Sequence, residues 1–396
     1  MDIVIHLGLH RTGSTALQGA LARARDRLAR HGVGYPGMPA TRPVVAHALG
    51  AAEWRGPRGM AARIVARRRL RAWARAREAE GVSRLILSDE TLAGDLDPCL
   101  TGAGPYPHAA ARLALLAEAF APWTCRAAAA LRDPADWLAS ARAFALSRRP
   151  QPDFAPARAA ALDPAGRGWA DLAAEIHAAF PAPVFWDAGV YETNPRRIHK
   201  LLAGPGVARE VRGARRQAQE ARVNPGLPPA ALAALEAAHA AGETVDAARR
   251  EALVAAATAR AGTPARWDPW TEAERETLAA RYRADLAAIR AMGLTVLGGE
   301  PAAGPGAGKR RPADPGAGKR LPAGPGAGNR AGPGGRKGRG KAGGGGRKAV
   351  RATAAAAAKA ADEHHHHMRR APGRDGPAAP PVIGTIALRA RQGGPT

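Results

Sequence analysis

The chain has 396 residues, with 59 Lys or Arg against 34 Asp or Glu and a formal net charge of +25. Such a charge is typical of nucleic-acid-binding proteins, but residues 301–396 hold 19 Lys or Arg against 4 Asp or Glu and carry most of the excess, so a strongly basic fold is excluded. Two cysteines exclude a disulfide framework. With no signal peptide and no apolar run of about 18–20 residues, we expect a cytoplasmic protein without a membrane span.

Short apolar runs alternate with helical patterns through residues 1–300. The runs predict four buried strands, at Ile3–Leu7, Leu85–Leu87, Arg126–Leu131 and Val184–Trp186. The patterns between them predict helices over Thr15–Arg30, Pro57–Glu80, Ala109–Phe120, Pro134–Ser147 and Gly168–Phe180, with three more between Pro228 and Met292. Strands separated by helices pair in parallel. The predicted fold class is therefore α/β, with three layers of P-loop type: a central parallel sheet flanked by helices.

The predicted helix over Pro57–Glu80 is strongly basic in the segment Arg67–Arg77. A solvated amphipathic helix is the simplest interpretation of this pattern. A binding surface is the alternative.

The composition changes after residue 300. A ten-residue near-repeat runs through residues 303–330, and four histidines stand at His364–His367. Such a sequence buries too little apolar surface to offset its conformational entropy. Residues 1–300 are therefore predicted to form the folded domain, and residues 301–396 a disordered, basic, low-complexity tail. The charge of the tail allows weak contact with anionic polymers.

The first predicted strand runs into a glycine-flanked loop that is rich in hydroxyl groups. A loop between a strand and a helix N-terminus binds anions, because unpaired backbone N–H groups and the helix dipole both favour negative charge there. Gly8 and Gly13 have the spacing of the glycines in a nucleotide P-loop, but Ser14 replaces the lysine expected after Gly13. The nearest cation is Arg11. The loop is therefore predicted to hold a phosphate, but not the triphosphate of an ATPase.

Residues 10–18, His-Arg-Thr-Gly-Ser-Thr-Ala-Leu-Gln, resemble the loop that binds the 5′-phosphosulfate in sulfotransferases that use 3′-phosphoadenosine-5′-phosphosulfate (PAPS). The bacterial branch of that family usually reads His-Lys-Thr-Gly-Thr-Thr-x-Leu-Gln, so Arg11 stands in place of the lysine and Ser14 in place of a threonine. A planar guanidinium binds oxyanions differently from an ammonium group. The resemblance implies that Arg11 both binds PAPS and acts in catalysis. It also implies that four further residues bind the 5′-phosphate: Thr12, Gly13, Ser14 and Thr15.

A second motif follows the third predicted strand, where Arg132-Asp133-Pro134 opens a helix and Ser140 lies about two turns along it. Ligands bind at the carboxyl ends of parallel strands. An arginine there can bind a phosphate through two hydrogen bonds, and a serine can add a donor. The motif resembles the 3′-phosphate-binding motif of the PAPS sulfotransferases. The resemblance implies that Arg132 and Ser140 bind the phosphate that distinguishes PAPS from simpler adenine nucleotides.

The second predicted strand is followed by Ser88-Asp89-Glu90. If this is a Walker B segment, Asp89 holds Mg²⁺ and Glu90 polarises water, which supports the alternative function, a P-loop kinase or NTPase that uses ATP and Mg²⁺. Many bacterial sulfotransferases have Ser-x-Glu at this place, and that resemblance implies that Glu90 deprotonates the acceptor. A third interpretation is a carboxylate that caps the following helix near Thr91.

Histidine is the other candidate for the catalytic base, because its pKa lies near neutrality. His47 follows the segment 31–36 at a place where a histidine is usual in the bacterial sulfotransferases, and a purely structural role is the alternative. His10 lies inside the loop and is expected to shape it. The sequence leaves the choice between Glu90 and His47 open.

The resemblance covers roughly residues 1–230 and is specific at the two phosphate motifs. The segments 190–192 and 224–227 are also similar to the bacterial branch. The Arg-Lys-Gly loop of the eukaryotic enzymes has no clean copy, although the basic run Arg212–Arg216 could substitute for it. The resemblance implies transfer of a sulfuryl group from PAPS, without a metal ion, to a hydroxyl or amine of an acceptor that is a carbohydrate, a lipid or a small metabolite.

Overall fold

The structure is a computed structural model that describes residues 1–211, 226–261 and 266–299. Contacts divide the chain into two units, Met1–Arg310 and Arg311–Thr396, and all the described residues belong to the first. The predicted tail and the basic run Arg212–Arg216 lie outside the described residues, as does the start of the segment 224–227.

Within the described residues, six strands form one parallel sheet. In chain order they are β1 (Asp2–Leu7), β2 (Val33–Gly34), β3 (Arg84–Asp89), β4 (Thr124–Leu131), β5 (Val184–Asp187) and β6 (Thr295–Leu297). Their order across the sheet is β2-β3-β1-β4-β5-β6. β1 pairs with β3 on one side and β4 on the other, so that Leu7 lies opposite both Asp89 and Ala129. The next two strands in the chain, β2 and β3, lie on one side of β1, and the last three lie on the other, so the strand order reverses at β1. Ligands in open α/β sheets bind at such a reversal, outside the carboxyl ends of the strands.

Helices connect the strands. In chain order they are α1 (Ser14–Arg23), α2 (Arg25–Ala29), α3 (Met38–Thr41), α4 (Val45–Gly50), α5 (Gly56–Ala79), α6 (Ala109–Phe120), α7 (Pro134–Leu146), α8 (Ala155–Leu162), α9 (Trp169–Ala179), α10 (Gly189–Thr193), α11 (Pro195–Ala203), α12 (Pro229–Ala240), α13 (Ala247–Ala261) and α14 (Glu272–Ala291). Two short 3-10 helices cover Ala51–Glu53 and Asp97–Leu100. None of these helices has both the length and the apolar character that a membrane crossing requires.

Both faces of the sheet are covered by helices, because side chains along a strand alternate between its two faces. Ile3 and Ile5 of β1 pack into a core that α5, α6, α7, α9 and α14 complete. Val4 packs into the opposite core, with Leu21 of α1 and Ile198 of α11. The predicted α/β class, with a central parallel sheet flanked by helices, is confirmed.

Most of the predicted elements are present, and the differences have local causes. The predicted helix Thr15–Arg30 is interrupted at Ala24, which divides it into α1 and α2. The strands β2 and β6 were not predicted, because segments of two and three residues at the sheet edges are too short to show a period. The alanine run Ala127–Ala130 forms a strand despite the helix propensity of alanine, since it is buried between β1 and β5.

Candidate functional site

The loop between β1 and α1 lies at the carboxyl edge of the sheet, beside the reversal in strand order. The N–H of Gly8 donates to the carbonyl oxygen of Asp89 over 3.0 Å. A Cβ atom at Gly8 would lie 3.2 Å from the carbonyl carbon of Asp89, so a side chain would be tightly packed where the loop passes the end of β3. Gly13 has a φ of 89°, a left-handed conformation that glycine adopts without strain.

Two hydroxyl groups of the loop bind the backbone of the loop itself. The Thr12 hydroxyl donates to the carbonyl oxygen of Leu9 over 2.7 Å, and the Ser14 hydroxyl donates to the carbonyl oxygen of Gly8. Both side chains are buried, so these hydroxyls fix the shape of the loop. Thr15, by contrast, is exposed in the first turn of α1, where backbone N–H groups have no partner within the helix.

Arg11 connects the loop to α7. Its φ of 64° costs a residue other than glycine roughly 1–2 kcal/mol. Its Nε donates to the Oγ of Ser140 over 2.8 Å, and its guanidinium carbon lies 5.2 Å from the centroid of the Phe144 ring. Its carbonyl oxygen accepts a hydrogen bond of 2.9 Å from Nη1 of Arg132. The two motifs that the sequence assigns to separate phosphates are therefore in direct contact.

Two arginines that the sequence did not reveal add to the positive charge around Arg11. The guanidinium carbon of Arg148 lies 4.5 Å from the centroid of the same Phe144 ring. Burial, followed by the positive charges of Arg132, Arg266 and Arg148, lowers the pKa of Arg11 to about 10. We call Arg11, Arg132, Arg148 and Arg266 the arginine cluster. No local motif could have predicted Arg148 and Arg266, since only the tertiary fold brings them to the loop.

The arginine cluster can bind a ligand that carries several negative charges. The carboxylate of Asp136 lies 3.7 Å from Arg132, at the edge of the cluster. Guanidinium groups bind phosphate and sulfate oxygens with two parallel hydrogen bonds. The N–H groups at the start of α1 supply further donors beside the cluster.

Aromatic side chains hold the loop in place. The backbone N–H of His10 donates to the hydroxyl oxygen of Tyr106 over 2.6 Å, and Nε1 of Trp137 donates to the carbonyl oxygen of His10 over 2.9 Å. Nε1 of Trp169 donates to the carbonyl oxygen of Arg132 over 2.8 Å. Burial lowers the pKa of His10 to about 4, so its imidazole is neutral near pH 7.

The carboxylates at the end of β3 are both bound to Arg42. Nε of Arg42 donates to Asp89 over 3.0 Å, and Nη2 donates to Glu90 over 2.6 Å. The other carboxylate oxygen of Asp89 accepts from the backbone N–H and the hydroxyl of Thr91, each over 2.9 Å. The structure describes a turn at Thr91 and not the expected helix, so Asp89 caps a turn. Asp89 is buried with both oxygens engaged, an arrangement that suits this cap and an ion pair better than a Mg²⁺ ligand. Glu90 is partly exposed.

The two candidate bases differ in their relation to the loop. Glu90 directly follows Asp89, whose carbonyl oxygen accepts the hydrogen bond from Gly8. His47 is exposed on α4, and its side chain forms no hydrogen bond or ion pair with any residue that the structure describes. The structure therefore links Glu90, and not His47, to the loop that precedes α1. Among the described side chains, no group of three or more His, Cys, Asp or Glu is placed to hold a metal ion.

No protein-family model, no curated protein and no solved structure matches this chain. The geometry of the site and the resemblance of its two motifs to the phosphate-binding motifs of PAPS sulfotransferases are therefore the indications of its function.

Proposed function

We propose that the protein is a sulfotransferase with a P-loop-type fold that uses PAPS as its sulfuryl donor. The observation that carries the proposal is the contact between the two motifs. The Arg11 side chain binds Ser140, and the Arg11 carbonyl oxygen accepts from Arg132, although these residues are 121 or more positions away in the sequence. A nucleotide with separate phosphates on its 5′ and 3′ positions needs two such anion sites side by side.

Each part of the site has a role in binding this donor. The backbone N–H groups at Gly13, Ser14 and Thr15 bind the 5′-phosphate, with Thr12 and Ser14 fixing the loop through their hydroxyls. Arg132 binds the 3′-phosphate, and Ser140 both orients Arg11 and adds a donor. The positive charges gathered around Arg11 suit a donor with several negative charges.

The reaction is an in-line transfer of a sulfuryl group. A new bond forms between sulfur and the acceptor oxygen or nitrogen, while the bond between sulfur and the bridging oxygen of the 5′-phosphate breaks. The electron pair of that bond leaves with adenosine 3′,5′-bisphosphate. Arg11 and the loop N–H groups neutralise the charge that grows on the bridging oxygen, and preorganised donors of this kind usually give the largest catalytic effect. The acceptor proton passes to Glu90, whose carboxylate Arg42 holds in place.

Calorimetric titration of the full chain tests the proposal, with adenosine 3′,5′-bisphosphate, AMP and ATP–Mg²⁺ as ligands. We expect the bisphosphate to bind at least about tenfold more tightly than AMP, because it adds one charge-assisted phosphate contact. Transfer of labelled sulfur from PAPS to a panel of carbohydrate, lipid and small-metabolite acceptors then tests the reaction. Tighter binding of ATP–Mg²⁺ than of the bisphosphate would support a kinase or NTPase and contradict the proposal.

A further inference from the structure

Large apolar side chains are exposed on α5 and on the segment before it. The exposed fractions are 63% for Trp54, 68% for Met60, 40% for Ile64 and 48% for Val65. These are four of the five exposed large hydrophobic side chains in the part of the chain that the structure describes, and they fall within residues 54–65. We call them the apolar patch. Surface apolar residues are ordinary when scattered singly, but a contiguous group marks an interaction site.

The exposed position of Trp54 is fixed by its neighbours. Glu53 accepts a hydrogen bond of 2.6 Å from Nε of Arg112, which anchors the residue before the tryptophan. A Cβ atom at Gly59 would collide with the carbonyl group of Trp54, so glycine at this position lets the backbone of Trp54 lie against the first turn of α5. The indole is therefore held outward from an ordered backbone.

The helix that carries the patch is strongly cationic. α5 contains eight arginines and one glutamate. Two of the arginines lie within ion-pair distance of Glu118 and one of Glu80. Arg58, Arg68 and Arg69 are exposed and form no ion pair with any described residue. Arg68 lies one helical turn after Ile64, on the side of α5 away from the buried Leu70, so apolar and cationic side chains share the outer surface.

The apolar patch lies toward the same edge of the sheet as the candidate site. α5 ends at Ala79 and β3 begins at Arg84, so the C-terminus of α5 is near the amino edge of the parallel sheet. With 24 residues, α5 is about 36 Å long and runs back across the sheet from the carboxyl edge. Its N-terminal half, which holds Met60, Ile64 and Val65, is therefore the half near the carboxyl edge.

We propose that this surface docks the protein onto an anionic lipid membrane. The apolar patch enters the boundary between head groups and acyl chains, and the exposed arginines of α5 contact the anionic head groups. A second copy of the chain is a poorer occupant, because a symmetric interface would bring the eight arginines of α5 next to the same eight arginines of the second copy, and like charges repel. RNA would neutralise the arginines but leave Met60, Ile64 and Val65 in water. The proposal is independent of the proposed sulfuryl transfer, because it concerns binding alone.

Vesicle flotation of the full chain tests the proposal, with vesicles of phosphatidylcholine alone and of phosphatidylcholine mixed with phosphatidylglycerol. The basic residues after position 300 also attract anionic vesicles, so the comparison is between variants that all retain them. The triple variant Met60→Ser, Ile64→Ser, Val65→Ser is expected to lower partitioning onto the mixed vesicles by about tenfold or more, since it removes the inserted apolar surface. Met292→Ser, at the fifth exposed large hydrophobic residue of the described part of the chain, is the control and is expected to bind like the wild type.

The cationic part of the surface is tested by Arg68→Ala with Arg69→Ala. This pair is expected to lower partitioning onto the mixed vesicles by about tenfold or more. The matched control, Arg196→Ala with Arg197→Ala, replaces two adjacent exposed arginines on α11, which packs on the other face of the sheet, and is expected to change little. Brominated lipids are expected to quench part of the tryptophan fluorescence of the wild type, and Trp54→Phe to remove that part.

Three results would overturn the proposal. The first is equal partitioning of the triple variant and the wild type, with circular dichroism showing both folded. The second is the absence of any quenching that depends on Trp54. The third is a single-stranded RNA that binds the wild type and loses affinity in the triple variant as vesicles do, since the apolar patch would then serve a nucleic acid.

Discussion

Nη1 of Arg132 donates to the carbonyl oxygen of Arg11 over 2.9 Å, so the second phosphate motif holds the backbone of the first. Arg11 needs this support because its φ of 64° is unfavourable for a residue with a Cβ atom. Besides burial, the positive charge of Arg132 also contributes to the lowered pKa of Arg11. A substitution at either arginine therefore changes both the shape of the loop and its charge, and suitable pairs of variants separate the two effects.

Arg132→Ala is expected to weaken the binding of adenosine 3′,5′-bisphosphate at least about tenfold more than it weakens the binding of AMP, because the lost charge serves the second phosphate. Calorimetric titration of both ligands measures the difference. Arg126→Ala is the matched control, since Arg126 is an exposed arginine near the start of β4, the strand that Arg132 directly follows. Equal losses for the two ligands would contradict the assignment of Arg132 to the 3′-phosphate.

Arg11→Gly and Arg11→Ala are expected to differ in stability but not in activity. Both remove the guanidinium, so both should abolish sulfuryl transfer. Only glycine relaxes the backbone at φ 64°, and the glycine variant is therefore expected to be about 1 kcal/mol more stable to unfolding than the alanine variant. Urea unfolding measures the difference. A more stable alanine variant would show that the positive φ carries no strain, and full transfer activity in either variant would remove Arg11 from catalysis.

Glu90→Gln is expected to lower kcat about a hundredfold or more, the usual effect of removing a general base. His47→Gln should change kcat less than about threefold, because its exposed side chain has no described contact with the loop. The measurement is the rate of sulfuryl transfer at saturating PAPS. A reversal of the two effects would make His47 the base and leave Glu90 as the partner of Arg42.

Acid is expected to destabilise the protein through His10. Burial lowers the pKa of His10 from 6.5 to about 4 in the folded state. Below about pH 6.5 the unfolded chain binds a proton that the folded chain does not, so the free energy of unfolding falls with pH, by about 2 kcal/mol between pH 7 and pH 5 from this residue.

Urea unfolding at those two values of pH measures the effect in the wild type and in His10→Gln. The variant is expected to lose less stability on acidification, because its side chain does not titrate. His47→Gln, at an exposed histidine, should follow the wild type. An unchanged pH dependence in His10→Gln would show that the imidazole is not buried in its neutral form.

The sheet and its main helices follow from the sequence because their apolar patterns are local. β1 and β3 are short apolar runs between helices, and α6 extends over the predicted residues Ala109–Phe120. β2 could not be predicted, because a strand of two residues is defined by its pairing with β3 and not by its own composition. The break between α1 and α2 at Ala24 could not be predicted, because no glycine or proline stands at that position.

The sequence indicates residues of the candidate site where a motif is continuous and not where the fold assembles it. Arg11 and Arg132 each belong to a recognisable local pattern. Arg148 and Arg266 belong to none, and only tertiary packing brings their charges to Arg11. The sequence also could not show that the Thr12 hydroxyl binds the carbonyl of Leu9, since a hydroxyl near a phosphate loop suits either a ligand or the backbone.

Binding of an anion to the arginine cluster is expected to change the stability of the whole fold. Burial is the main cause of the lowered pKa of Arg11, and the positive charges of the other three arginines lower that pKa as well. An anion that binds among them offsets these charges, and a ligand that binds only the folded chain raises the free energy of unfolding as its concentration rises. Sulfate and phosphate in the buffer are expected to raise the stability in the same way, since guanidinium groups bind both anions. The midpoint temperature of thermal unfolding is therefore expected to depend on the anions in the buffer, and this can be measured before any acceptor is known.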